Sequence, residues 1–446
     1  PDRQRRGAGL ARPVLDGRDD GIGLVVGDRR RSGVGCIPCG DQRLALPLGI
    51  LWYGDVEDSR PEHLYYHGVK PVVQRGVVCV FQQRARSLLA YDAYTGRRLW
   101  SVELPSRNAR VVAMDDGVYV AVSGECRIYD LDTGAVQKSF PFAVTGAPVA
   151  KDLRVDGDSI LVTCGAVEET LMERGYWDGA ALVCLDRQSG RVRWHRAARH
   201  RFNVAALALA RGMVFYADSP SLVAVPDAGT ATGTVETLLV ALDARTGRPL
   251  WTRAGKRPRL TVSDAWSVLA RDEWLSYAEQ GDVLLGGFDA LTSAWRAQSG
   301  QPLWENKNLG SRPLIVRGGT LINQEAVEFD LATGERTGRP GFLTHPKRAC
   351  NYAVAAPRLL LLRDATVSAI DLERYLSFYL LPIRSGCGNS LIAADGLLNL
   401  PYAAAGCICN YAIQTASAAM TMPEVETWFA DEPLPLNPPP PPLPAQ

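Results

Sequence analysis

A short phrase recurs along this chain and constrains its fold more than any other feature. The phrase is an apolar pair, an acid, two variable residues, Thr or Ser, Gly, and a Trp four positions after the glycine. Weaker copies begin at Cys126, Leu291, Ala326 and Thr366. Units that recur about every 35–55 residues are typical of stacked or radial repeat folds. The clearest copies are Leu88–Trp100 (LLAYDAYTGRRLW), Ala181–Trp194 (ALVCLDRQSGRVRW) and Leu238–Trp251 (LLVALDARTGRPLW).

The phrase predicts a strand, a tight turn and a second strand. Its acid can accept backbone N–H bonds within the turn, and its glycine can supply the positive φ that the turn needs. The Trp then begins an outermost strand, where its ring can dock between neighbouring sheets. The predicted structural residues are Gly96, Gly190, Gly247, Gly300, Trp52, Trp100, Trp194, Trp251 and Trp304.

The rest of the pattern is all-β. Short runs of Val, Leu, Ile and aromatic residues are separated by Gly or Asp-Gly, which is typical of hairpins. One helix is predicted, at Asp264–Glu279. The phrase marks seven units, and two segments outside it, Gly49–Asp55 with Trp52 and Asn389–Ile413, indicate an eighth. We predict that the N-terminal strand completes the last unit, so that the ring closes without a free edge.

Charge and composition exclude several classes of function. Lys and Arg number 49 and Asp and Glu 48, and this balance argues against nucleic acid or an anionic membrane as the main partner. No apolar run reaches the roughly 18–20 residues that span a bilayer. We predict a poorly ordered, arginine-rich leader at 1–43, the folded domain at 44–430 and a proline-rich extended tail at 431–446.

These residues resemble a known family. The phrase is similar to the tryptophan-docking repeat of pyrroloquinoline-quinone (PQQ) type β-propellers, the fold of quinoprotein alcohol dehydrogenases. The segment Cys350–Trp428 resembles secreted PQQ-like propeller proteins of planctomycete-type bacteria. The resemblance covers 44–430 and implies an eight-bladed propeller, with seven blades as the alternative, in a secreted or periplasmic protein. It also implies that four cysteines form a paired set: Cys350, Cys387, Cys407 and Cys409.

The cysteines leave alternatives open. Disulfides fit an even set in glycine-rich turns, whereas a zinc site and free thiols are the other interpretations. The Cys407–Cys409 spacing is tighter than zinc sites use. Cys36 and Cys39 are followed by Gly40, not His, so no c-type haem is encoded. Inert, buried thiols are predicted inside apolar runs at Cys79, Cys126, Cys164 and Cys184.

A bound PQQ would require further residues. Quinoproteins of this fold stack the quinone on a Trp and against two adjacent cysteines, and bind Ca²⁺ with Glu, Asn and Asp oxygens. This chain has no adjacent cysteine pair. No metal site is predicted, because His63 and His67 lack the HExxH pattern. The candidate cofactor-binding residues are Trp266, Trp274, Asn389, Asp395 and Asn399.

No catalytic constellation can be assigned from these residues. We therefore predict a rigid binding or scaffold module for a protein or glycan partner. We expect it to be a monomer, to bind no nucleic acid and to have no transmembrane segment. The alternative is a PQQ- and Ca²⁺-dependent oxidoreductase acting on alcohols or sugars. A propeller fold hosts many functions and does not choose between them.

Overall fold

The structure is a computed structural model of the 446-residue chain. The residues it describes are 34–36, 44–46, 48–54, 71–82, 85–166, 178–220, 223–224, 234–258, 260–261, 274–288, 291–309, 314–323, 326–338, 353–363, 367–374, 377–380, 391–400 and 416–423.

The described residues form β-strands joined by turns. Two strands precede the first copy of the phrase: β1 (Val34–Cys36) and β2 (Leu48–Gly54). The first sheet contains β3 (Val72–Gln74), β4 (Val77–Gln82), β5 (Ser87–Asp92) and β6 (Arg98–Glu103). The second contains β7 (Arg110–Met114), β8 (Gly117–Val122), β9 (Glu125–Tyr129) and β10 (Val136–Pro141).

The third sheet has seven strands: β11 (Val149–Asp156), β12 (Ser159–Gly165), β13 (Asp178–Asp186), β14 (Val192–Ala210), β15 (Met213–Asp218), β17 (Thr234–Asp243) and β18 (Pro249–Pro258). A separate parallel pair joins β16 (Val223–Ala224) to β19 (Leu260–Thr261). The fourth sheet contains β20 (Trp274–Ala278), β21 (Val283–Phe288), β22 (Leu291–Arg296) and β23 (Pro302–Asn306).

The last three sheets use shorter strands. The fifth contains β24 (Leu314–Arg317), β25 (Thr320–Ile322) and β26 (Glu328–Asp330), with β1 paired in parallel to β24. The sixth contains β27 (Val354–Ala355), β28 (Leu359–Arg363), β29 (Val367–Asp371) and β30 (Ser377–Leu380). The seventh contains β31 (Ile392–Ala394), β32 (Leu397–Leu400) and β33 (Ala416–Thr421).

The seven-stranded sheet consists of two antiparallel halves that share β14. Residues 192–197 of this strand pair with β13, and residues 207–210 pair with β15. The first half is β11–β14 and the second half is the rest of β14 with β15, β17 and β18. With its halves counted separately, the molecule repeats one antiparallel unit in chain order.

Strands that are far apart in the chain meet in the seventh sheet. The N-terminal strand β2 pairs antiparallel with β33, from Leu48 opposite Thr421 to Gly54 opposite Ala416. The predicted pairing of the strand around Trp52 with the last unit is therefore confirmed. Since β2 occupies the outer edge of that sheet, residues from both ends of the chain close it.

The described residues form eight hydrophobic clusters between successive units. One cluster joins the first sheet to the second, and others follow in chain order, including one between the two halves of the third sheet. The last cluster packs Val73, Val78 and Leu89 of the first sheet against Ile392 and Ala418 of the seventh. Each sheet therefore buries both faces against its neighbours, and this burial is the dominant source of stability.

The helix predicted at Asp264–Glu279 is wrong in its described part. Residues Trp274–Ala278 form β20, which pairs with β21 from Trp274 opposite Gly287. Trp274, Leu275 and Ala278 are buried between sheets, so packing on both faces overrides the helical pattern. No α-helix occurs in the described ranges, and accordingly none of them contains a helix with the length and apolar character to cross a membrane.

Candidate functional site

The turn of the phrase has the geometry that its residue types predict. The Asp92 carboxylate accepts N–H bonds from Tyr94 and Thr95, both at 2.9 Å. The same bonds recur at Asp130, Asp186, Asp243, Asp330 and Asp371. The glycines adopt positive φ, from 67° to 72° at Gly96, Gly134, Gly190, Gly247, Gly300 and Gly334.

These bonds also affect ionisation. Hydrogen bonds from the backbone N–H and the hydroxyl of Ser189 hold the pKa of Asp186 well below its usual range. The Arg193 guanidinium, 2.6 Å from the carboxylate, lowers this pKa further. Bonds from Thr246 lower the pKa of Asp243 in the same way. The carboxylates therefore remain charged acceptors at neutral pH, which suits a structural turn more than proton transfer.

Five Trp side chains donate a hydrogen bond from Nε1–H to a carbonyl in the turn of the next unit. The Trp100 Nε1–H donates to the Leu131 carbonyl at 2.9 Å, and a Cβ added at Gly134 would lie 2.7 Å from the ring. Trp100 is 8 % exposed, and the other four indoles are half-buried. The equivalent donor–acceptor pairs are Trp52–Ala93, Trp194–Ala244, Trp251–Ala297 and Trp304–Leu331, at 2.7–2.9 Å.

The seam between the second and third sheets departs from this arrangement. Between the second and third sheets, Phe140 takes the place of the indole and covers Gly190. The residue after the turn acid is Arg187, which donates to the Tyr119 hydroxyl at 2.8 Å and to the Asp116 carboxylate at 2.6 Å. This seam therefore combines ring packing with an ion pair. Sequence reading missed Phe140, because it lies six positions after Gly134 instead of four.

Buried arginines connect the first strands of neighbouring units. Arg110 on β7 donates to the Lys151 carbonyl on β11 at 2.7 Å, and Arg154 on β11 donates to the Val204 carbonyl on β14 at 2.9 Å. Arg154 also forms an ion pair with Asp152 at 2.8 Å. All of these side chains are less than 10 % exposed. Charged groups at the centre of the ring are thus used as cross-links between units.

The described cofactor candidates do not come together. Asp395 lies in the turn between β31 and β32, where its carboxylate accepts the Gly76 N–H at 2.7 Å and its carbonyl accepts the Tyr94 hydroxyl at 3.0 Å. These two hydrogen bonds hold the seventh sheet against the first, and we call them the clasp. Trp274 starts the first strand of the fourth sheet, at the end opposite to such turns, and packs in the core between the fourth and fifth sheets.

Asn399 is the third described candidate. It is 1 % exposed, its amide group donates to the Ile392 and Ala394 carbonyls at 3.4 Å, and its Oδ1 has no hydrogen-bond partner. An orphaned buried oxygen could accept a bond from a ligand. Asp395 is already engaged and Trp274 belongs to another sheet, so these three residues do not fit a quinone and Ca²⁺ together. Trp266 and Asn389 lie outside the described residues.

Eight of the ten cysteines fall into two groups. Cys79, Cys126, Cys164 and Cys184 are buried and unpaired, as predicted, and burial raises the pKa of each thiol to about 12. Thiols of this kind are inert near neutral pH. The predicted paired set, Cys350, Cys387, Cys407 and Cys409, lies outside the described residues. Across the described ranges, no cluster of three or more His, Cys, Asp or Glu residues could hold a metal ion.

Family comparison agrees with this architecture. The model of the family described as outer membrane protein assembly factor BamB matches the chain three times, over residues 50–162, 141–307 and 228–337. These overlapping matches extend over more than half of the chain. The chain belongs to this family. As a member of the BamB family it is a PQQ-like β-propeller, as the repeat phrase predicts.

Solved structures with related folds were also found. BamB from Moraxella catarrhalis is 17% identical, with 71% of this chain and 97% of that chain covered and a TM-score of 0.41. Quinohemoprotein alcohol dehydrogenase from Comamonas testosteroni is 12% identical, with 88% and 79% covered and a TM-score of 0.49. No curated protein matches this BamB-family chain.

Proposed function

We propose that this protein is an extracytoplasmic, eight-bladed β-propeller that acts as a rigid binding and scaffold module for a protein partner. The observation that carries the proposal is membership of a family described as outer membrane protein assembly factor BamB. Eight inter-unit clusters and the pairing of β2 with β33 support a count of eight blades. Five indoles that donate to the next turn support tryptophan docking as the mechanism of closure.

The other parts of the proposal concern the location, the oligomeric state, the domain bounds and the disulfides. The family description supports a secreted or periplasmic location. Because β2 already pairs with β33, the seventh sheet has four strands from one chain and needs no strand from another copy, which supports a monomer. Bounds of 44 and 430 for the propeller, with a leader and a proline-rich tail outside it, remain predictions. So do the two disulfides at Cys350, Cys387, Cys407 and Cys409.

A binding role suits this geometry better than catalysis. Hydrogen bonds hold the pKa of Asp186 and that of Asp243 below their usual range, the buried thiols of Cys79, Cys126, Cys164 and Cys184 are inert, and charged groups on the first strands connect units. Such groups maintain a fixed surface. A rigid surface binds a partner with a small loss of conformational entropy, which favours affinity.

The test is reconstitution. The purified full-length protein is cross-linked to an envelope extract of its source organism, and the captured protein is then produced alone and mixed with it. We expect a complex of defined stoichiometry by analytical ultracentrifugation. Failure of every captured protein to bind when pure would remove the scaffold proposal. Saturable thermal stabilisation by PQQ with Ca²⁺ would instead favour the oxidoreductase alternative.

A further inference from the structure

The outer strands of the third sheet concentrate positive charge. Residues 187–201 contain six arginines and no acid, and residues 244–258 contain four arginines, one lysine and no acid. The whole chain has 49 basic and 48 acidic residues, so this asymmetry is local. We name the surface formed by residues 191–200 and 245–256 the basic edge.

The fold brings these two segments together. The Trp194 Nε1–H donates to the Ala244 carbonyl at 2.8 Å, and the Arg196 guanidinium donates to the Gly247 carbonyl at 3.0 Å. The outer part of β14 and the outer strand β18 are therefore neighbours at the perimeter. The exposed basic residues on these strands and in the turns that precede them are Arg191, Arg199, Arg245, Arg248, Arg253 and Lys256.

Counter-charges neutralise only part of the basic edge. Arg193 is paired with Asp158 at 2.8 Å and Asp186 at 2.6 Å. Arg199 lies 3.8 Å from Glu236, and both side chains are more than half exposed, so the attraction is weak. Among the described residues, no carboxylate forms an ion pair with the remaining five exposed cations, Arg191, Arg245, Arg248, Arg253 and Lys256.

The basic edge also offers backbone hydrogen-bonding groups. β18 is the terminal strand of the sheet and pairs on one side with β17, over Thr234–Asp243. Within the described residues, its other side has no partner strand. Ten residues of strand span about 33 Å, which is long enough to pair with a partner segment of similar length. Addition of an extended peptide to a free sheet edge is a recurring mode of recognition.

Protection against aggregation does not account for this pattern. Charges on edge strands prevent sheets from joining edge to edge, and either sign serves that purpose. The outer strands β6 and β23 carry Glu103 and Glu305 as well as apolar residues. The basic edge uses a single sign and leaves Leu250 48 % exposed beside Arg248. One sign of charge beside an exposed apolar side chain suits a complementary partner.

We propose that the basic edge binds an acidic segment of a protein partner, which adds to β18 in extended conformation and places carboxylates beside Arg248, Arg253 and Lys256. The backbone supplies the register, and the guanidinium and ammonium groups select negative charge. This inference rests on the proposed binding function and assigns a surface and a chemical class to its partner.

The test uses the full-length protein and two fluorescent ten-residue peptides, one of alternating Glu and Val and one of alternating Glu and Pro. Both carry the same charge, but proline lacks the N–H that strand pairing requires. The test variant is Arg248→Glu/Arg253→Glu/Lys256→Glu. The matched control is Arg97→Glu/Lys138→Glu/Lys307→Glu, which reverses three exposed cations at the outer strands of other sheets. Urea midpoints establish that both variants are folded.

We expect the Glu-Val peptide to bind about tenfold more tightly than the Glu-Pro peptide. Its affinity should fall about tenfold in the test variant but less than about twofold in the control. Binding should weaken as salt rises, since these charges are exposed. Equal affinity of the two peptides, equal loss in both variants, or binding to phosphatidylglycerol vesicles without peptide binding would overturn the proposal. The reconstituted partner separates the two claims: if it binds the test variant normally, the basic edge is excluded while the scaffold role stands.

Discussion

Alanine at Gly134 should destabilise the protein more than alanine at a glycine of equal backbone geometry elsewhere. Gly134 has φ of 72°, and a Cβ there would lie 2.7 Å from the Trp100 ring. Gly212 also has φ of 72°, but nothing lies within 4 Å of the corresponding Cβ position. The two sites share the backbone angle and differ in the neighbouring indole.

The magnitude follows from this difference. Replacing Gly212 with alanine destabilises the protein only through the left-handed backbone at that position, by about 1–2 kcal/mol. Alanine at Gly134 costs the same amount and also displaces an indole that is 8 % exposed, and overpacking of this kind adds about 1–3 kcal/mol. We expect a loss of about 2–5 kcal/mol in the free energy of unfolding at Gly134, against about 1–2 kcal/mol at Gly212.

Urea unfolding measures both losses, with circular dichroism and tryptophan fluorescence required to give one midpoint. A second measurement removes the indole. In a Trp100→Ala background, Gly134→Ala should cost no more than Gly212→Ala, which gives a coupling energy of about 1–3 kcal/mol. Equal midpoints for Gly134→Ala and Gly212→Ala in the unaltered background would refute the reasoning, because the indole would then exert no steric constraint on the turn.

Three further predictions concern the clasp, the turn acids and the thiols. Asp395→Ala should lower the free energy of unfolding by about 1–3 kcal/mol, because the Gly76 N–H loses its acceptor and alanine disfavours positive φ. Asp395→Asn should retain most of the free energy of unfolding. An unchanged urea midpoint for the alanine variant would contradict the clasp. The folded pKa of Asp186 lies below its unfolded value, so its contribution to stability is present above about pH 4 and is lost as pH falls through the folded pKa. Asp186→Asn should therefore flatten the dependence of unfolding free energy on pH below about pH 4, and an unchanged slope would argue against it. The buried thiols of Cys79, Cys126, Cys164 and Cys184 should resist alkylation until the protein unfolds. If Cys350, Cys387, Cys407 and Cys409 form disulfides, thiol titration under denaturing, non-reducing conditions should find fewer than the ten thiols that the sequence would provide, whereas a full count would exclude disulfides.

Local rules account for most of what sequence reading predicted correctly. Asp and Gly in the phrase act within a few residues of each other, so their spacing predicts the turn at Asp92 and its repeats. Alternating apolar runs predict strands for the same reason. The helix at Asp264–Glu279 failed because β20 is buried on both faces, and burial of this kind obscures the distinction between strand and helix periodicity.

The candidate site was less predictable. Asp395, Asn399 and Trp274 were grouped by residue type, but residue type does not say which sheet a side chain faces. The structure instead assigns Asp395 to a contact with Gly76, 319 positions away in the chain. The basic edge was not recognised either, because the order of residues does not show that its two segments are neighbours in the fold.

The repeated unit can be predicted from local patterns alone: a strand, an Asp- and Gly-dependent turn, and an aromatic residue on the strand that follows. These features depend on bonds and angles within about ten residues, which the order of amino acids specifies directly. The partner that each unit meets depends on contacts between distant segments and is visible only in the folded molecule. Trp52 covers Gly96, Phe140 replaces an indole at Gly190, and β14 joins two units in one strand. These two aromatic contacts form only when separate sheets pack together, because each ring and the glycine that it covers belong to different sheets.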